Sequence, residues 1–63
     1  MKTVVIKSHR NGSIDIIQNI PDGTPCGEIV EKWARDPLNG GGCTWRVCEK
    51  NDLISAMVEG SAL

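Results

Sequence analysis

The sequence predicts an α+β fold in one small domain, with a four-stranded, mainly antiparallel sheet packed on a single helix. Three observations carry that prediction. Val4-Val5-Ile6 and Ile14-Asp15-Ile16-Ile17 flank Arg10-Asn11-Gly12, two β-rich runs around a turn. Residues 24–36 carry apolar side chains at helical spacing, and residues 43–50 alternate apolar and polar as a strand does. The expected order is strand, strand, helix, strand, strand.

The first hairpin spans residues 2–20, and its register is set by which side chains share a face. A two-residue Asn-Gly loop mixes Val4 and Ile6 with Asp15 and Asn19. A three-residue loop with Gly12 left-handed pairs Ile6 with Ile16, Val5 with Ile17 and Lys7 with Asp15, so this register is preferred. Pro21-Asp22-Gly23 then turns the chain. Thr24 is placed to cap a helix and Pro25 to occupy its first turn, with Pro37 as the stop. Cys26, Ile29, Val30, Trp33 and Ala34 form its apolar stripe, and Trp33 is the largest expected contribution to the core. Glu28 with Lys32 and Glu31 with Arg35 form exposed pairs four residues apart.

Residues 37–42 read as a glycine-rich connector. They lack the Lys-Ser/Thr that completes a phosphate-binding loop. Residues 43–59 read as a second hairpin turning at Asn51-Asp52, with Trp45 opposite Val58 and Val47 opposite Ala56. A rival reading makes Asp52 a helix cap, Leu53 to Glu59 a short helix and Gly60 its terminator. Residues 60–63 form a loose tail.

Sixty-three residues make one domain, and such a chain buries only about 60% of the surface it exposes when unfolded. Seven basic and eight acidic residues leave a net charge of −1, which argues against a bulk electrostatic grip on nucleic acid or on an anionic membrane. No apolar run approaches the roughly 18 residues that span a bilayer. Met1-Lys2-Thr3 leads into a strand and not into a signal sequence, so a cytoplasmic location is expected.

The candidates for chemistry are weak. Three cysteines, Cys26, Cys43 and Cys48, are an odd number that suits reduced thiols. Cys43 and Cys48 point to opposite faces of one strand and cannot join to each other, while a Cys26 to Cys43 bridge stays open. Cys48, near Arg46 and Lys50, is the thiol expected to be most exposed. His9 is the only histidine and sits beside a hairpin tip with no evident nucleophile or acid. There is no Cys-x2-Cys knuckle. No catalytic residue, metal or cofactor is expected.

With one helix, one sheet face stays uncovered. It would carry Val5, Ile17, Leu53 and Met57 together with Lys7, Asp15, Arg46, Cys48 and Lys50, an apolar patch rimmed by charges. Of these, Val5, Lys7, Asp15, Ile17, Arg46, Lys50 and Met57 are the candidate partner-binding set. The expected function is therefore a non-enzymatic protein-binding module, an inhibitor or adaptor that docks on a larger protein or ribonucleoprotein complex. A second copy of the chain is also a candidate partner. The alternative is a small nucleic-acid-binding or regulatory protein using the same face, which the absence of Phe and Tyr and of a basic surplus disfavours.

In its size, its ββαββ order from Thr3 to Glu59 and its lack of a catalytic residue set, the chain resembles the small phage and mobile-element inhibitors typified by anti-CRISPR proteins. The resemblance covers most of the chain and is one of layout. It implies a host effector complex as partner and steric or mimetic blocking as mechanism. Many such inhibitors are strongly acidic mimics of nucleic acid, and this chain at −1 is not, so blocking would rest on shape and mixed contacts.

Overall fold

A computed structural model describes all residues from Met1 to Leu63. Its elements are β1 (Lys2–Ser8), β2 (Ile14–Ile20), α1 (Cys26–Arg35), a 3₁₀ turn at Pro37–Asn39, β3 (Cys43–Cys48) and α2 (Leu53–Ser61). The class is α+β, but the sheet has three strands in the order β2-β1-β3, and there are two helices in place of one. Both β2 and β3 run antiparallel to β1, which is the central strand and holds the core.

The expected second hairpin does not form. Its first strand stands as β3, paired with β1 through Val4 opposite Val47 and Ile6 opposite Trp45. Residues 53–61 are helical, as in the rival reading. Asp52 lies in an extended conformation and its carboxylate accepts from the backbone N–H groups of Ile54 and Ser55 and from the Ser55 hydroxyl. That cap supplies acceptors for N–H groups that have no partner within the helix, which outweighs a hairpin built on Asn51-Asp52. The tail is not loose: the helix continues through Gly60 to Ser61, and the Lys7 ammonium donates to the Leu63 carbonyl at 3.0 Å.

The first hairpin forms with a different register. Its loop is the four residues His9 to Gly12, closed by Gly12 N–H to the Ser8 carbonyl and Ser8 N–H to the Ser13 carbonyl, both 2.9 Å. Gly12 is left-handed at φ 73°, as expected, but one extra loop residue pairs Val5 with Ile16, Ile6 with Asp15 and Lys7 with Ile14. A slip of one residue moves a whole strand to the other face. Val4, Ile6 and Ile17 therefore face α1, while Val5, Ile14 and Ile16 face α2. The expected Lys7–Asp15 pair does not exist, since the two lie on opposite faces. The register serves two helices, each of which needs an apolar floor.

Between Lys2 and Val4 the β1–β2 pairing is irregular, and Asn19 adopts φ 61° there. This bulge turns Ile20 toward the same side as Ile17. Asn51 supports the unusual backbone: its amide oxygen accepts from Asn19 N–H at 2.8 Å and from the Thr3 hydroxyl at 3.2 Å, and its amide donates to Asn19 Oδ1 at 2.8 Å. The residue expected to make a turn instead ties the start of α2 to β2 and β1.

On the α1 side the core is Val4, Ile6, Ile20 and Val30, with Ile17, Cys26, Ile29, Trp33, Cys43 and Val47 packed around it. α1 starts one residue later than expected, with Pro25 at the cap position and no side-chain cap from Thr24. It ends where Asp36 turns extended before Pro37, and the Asp36 carboxylate then caps the 3₁₀ turn through Leu38 N–H. Trp33 is half-buried, with its indole N–H donating to Asp15, so Ile6, Val4 and Val5 displace it as the largest fully buried apolar side chains. Ala34 is exposed. Neither charged pair on α1 closes to ion-pair distance.

Candidate interaction surface

The sequence of α2, Leu-Ile-Ser-Ala-Met-Val-Glu-Gly-Ser, divides into two faces at helical spacing. Ser55, Ala56, Glu59 and Gly60 form one stripe, and Leu53, Ile54, Met57, Val58 and Ser61 the other. The stripe of mostly small residues faces the sheet: Ala56 and Gly60 are buried, and Ser55 and Glu59 are half-buried. A Cβ on Gly60 would stand 2.9 Å from Val5 Cγ1 and 3.1 Å from Ile14 Cγ2, so the helix backbone rests almost directly on the strands. This close seat leaves the large side chains outside. Ile54 is 72% exposed, Val58 66% and Met57 56%.

An ordinary surface helix turns its apolar stripe inward. α2 does the reverse. The whole molecule exposes 4075 Å², against about 3,950 Å² for a typical folded monomer of 6.8 kDa. The amount of surface is ordinary; its composition over α2 is not. Two grooves run beside the ridge. One, toward β2, is lined by Ile14, Ile16, Met57 and Ser61, and the other, toward β3, includes Cys48, Lys50, Ile54 and Val58.

The seven residues expected to form one open sheet face are dispersed. Val5 is 0% exposed beneath Gly60, because α2 covers the face assigned to a partner. Ile17 packs into the α1-side core, and Asp15 is exposed on that same side, accepting from Trp33. Four of the set remain around α2. Lys7 reaches Leu63, Arg46 pairs with Glu59 at 2.9 Å, Lys50 precedes the helix, and Met57 lies on its outer stripe. Sequence reasoning missed Ile54 and Val58, placing Val58 opposite Trp45 inside a hairpin. The available signal was the spacing 53, 54, 57 and 58, a helical stripe with small residues between.

The chemical candidates keep simple surroundings. His9 Nε2 lies 2.6 Å from Thr44 Oγ1 at the exposed end of β1 and β3, and no carboxylate hydrogen-bonds the other ring nitrogen. All three cysteines are free thiols, and Cys48 is buried, not the most exposed of them, because its side of β3 lies beneath α2. No group of three or more His, Cys, Asp and Glu side chains is placed to hold a metal ion. No helix is long and apolar enough to cross a membrane.

Asp52 carries the one clear electrostatic signature. The hydroxyl of Ser55 first and then the N–H of Ile54 hold its carboxyl below the ordinary value; desolvation opposes them, and the Ser55 N–H and the nearby Lys50 charge add smaller lowering effects. A depressed folded pKa adds stability above the unfolded value that is lost as pH falls through the folded one. Asp52→Asn, which keeps a capping oxygen, is expected to lose less helicity than the wild type between pH 5 and pH 2. Far-UV circular dichroism along that titration checks it, and parallel curves would deny Asp52 the role.

The chain matches no protein family, no curated protein and no solved structure.

Proposed function

We propose that the protein is a non-enzymatic protein-binding module, an inhibitor or adaptor that docks on a larger protein or ribonucleoprotein complex through the outer face of α2. One observation carries the reading: a capped helix, seated closely by Ala56 and Gly60, presents Leu53, Ile54, Met57 and Val58 to solvent. Contiguous apolar surface rimmed by polar groups suits a protein contact. Lys50, Glu49 and Glu59 line one flank and Lys7 lies toward the far end of the helix. The stripe itself carries no charge to desolvate. An apolar helix face fits the helix-in-groove mode of recognition, in which anchors recur at i, i+3 or i+4.

The resemblance to phage and mobile-element inhibitors makes a host effector complex the proposed target. The observed order, ββαβα, departs from the ββαββ layout on which that resemblance was drawn, so it rests on size and on the lack of a catalytic set. A net charge of −1 favours blocking by shape over mimicry of nucleic acid.

A photo-crosslinking residue at position 54, compared with one at position 31 on the exposed face of α1, tests this in cells that express the chain. The expected result is a partner captured from position 54 alone. That partner, purified, should bind the wild type and lose at least about tenfold in affinity for Ile54→Asp/Val58→Lys. The two substitutions place an acid four residues before a base on α2, a pairing that supports helix, so loss of binding would not report loss of fold. Equal capture from both positions, or unchanged affinity of the double variant, would overturn the reading.

A further inference from the structure

We infer that in the absence of its partner the outer face of α2 is covered by a second copy of the same chain, in a two-fold dimer with the two helices antiparallel. The inference rests on the reading of α2 as a contact face and names the occupant that competes for it. Leu53, Ile54, Met57 and Val58, with the 39% exposed Ile14 beside them, present on the order of 500 Å² per copy, and two copies reach the roughly 1,000 Å² at which a specific interface begins. The area is that of a weak, reversible dimer. It suits a face that must later be surrendered.

Shape and charge both favour self-pairing. A two-fold contact requires a surface complementary to itself. The ridge of α2 with the Ile14/Ile16 groove at its side supplies both halves, so that one copy's ridge enters the other's groove. Met57 is the midpoint of α2 and lies on the outer stripe, which sets it at the axis against its own copy. In the antiparallel arrangement Asp52 at the helix start approaches Lys7 at the far end of the other protomer, where the ammonium sits on Leu63. Lys50 approaches the carbonyl end of the opposite helix, where a cation is favoured. No charged group lies on the stripe that becomes buried, and Glu59 keeps Arg46 as its partner.

Sedimentation equilibrium from 1 µM to 1 mM tests the dimer. The wild type is expected to move from 6.8 kDa toward twice that mass, and Ile54→Asp/Val58→Lys to remain at 6.8 kDa with an unchanged far-UV spectrum. Met57→Cys treated with diamide, which takes up the two thiol hydrogens as the disulfide forms, should give covalent dimer above the wild-type background set by the native thiols, whereas Glu31→Cys should not. A wild type that stays at 6.8 kDa throughout overturns the dimer, as does a dimer that survives the double variant or links equally at position 31. The docking reading fails separately, on equal capture at positions 54 and 31 or on unchanged affinity for the purified partner. A purified partner that binds through α2 should also dissolve the dimer.

Discussion

Val5→Asp is expected to unfold the protein. Val5 has no exposed surface, being held between its strand neighbours Ile16 and Arg46 and roofed by Gly60 of α2. A carboxylate there must lose its water or force α2 off the sheet, and an unpaired charge so buried costs several kcal/mol. Arg46 is the cross-strand neighbour on the same face, but its guanidinium is already engaged by Glu59 at 2.9 Å. A domain of this length has roughly 3–9 kcal/mol in total, so the substitution consumes most or all of it. Thermal melting followed by circular dichroism should show no cooperative transition. A folded variant with native helix content would mean that α2 does not cover this face. The contrast with Met57→Asp is the informative one, because Met57 lies on the same side of the sheet but on the outer stripe, and that variant is expected to stay folded.

Gly60→Ala and Gly27→Ala are expected to change stability in opposite directions, although both place a methyl group in a helix. At Gly27 nothing lies within 4 Å of the new Cβ, and the gain in helix propensity should stabilise by up to about 1 kcal/mol. At Gly60 the Cβ meets Val5 Cγ1 at 2.9 Å and Ile14 Cγ2 at 3.1 Å, and neither branched side chain can swing clear. Overpacking of this kind costs about 1–3 kcal/mol, which exceeds the propensity gain, so a net loss of roughly 1–2 kcal/mol is expected. Urea denaturation of the two variants beside the wild type reads both signs. A Gly60→Ala variant as stable as Gly27→Ala would show that α2 has room to rise from the sheet, and the exposed ridge would then lose its physical cause.

Gly60 also shows where sequence reading runs short. Beside a stretch of alternating character it reads as a terminator, whereas in the structure it is the point of closest approach between helix and sheet. Its neighbours Ala56 and Ser55 add to the same seat. Leu53, Ile54, Met57 and Val58 read equally well as alternating strand residues or as a helical stripe over so short a segment. The cap at Asp52 decides between them, and its three acceptor contacts depend on a carboxylate that is visible in the sequence. The candidate surface was therefore half legible. Met57, Lys50, Arg46 and Lys7 do surround it, while Val5, Ile17 and Asp15 went elsewhere once a second helix claimed the face.

The amino-acid sequence by itself determined the elements whose signal is local. Strands lie where β-branched residues cluster at 2–8 and 14–20, a left-handed glycine turns the hairpin, and a helix ends before Pro37. These follow from backbone preference and side-chain period within a few residues of chain. Tertiary structure alone decided the four-residue loop in place of three, the β2-β1-β3 order, and the identity of the residues that meet solvent. Those depend on how many helices share the two faces of one sheet. Once α2 folds, Ile14 and Ile16 are needed beneath it and Val4, Ile6 and Ile17 beneath α1, and displacing β2 by an odd number of residues from the three-residue-loop register lets a period-two strand serve both.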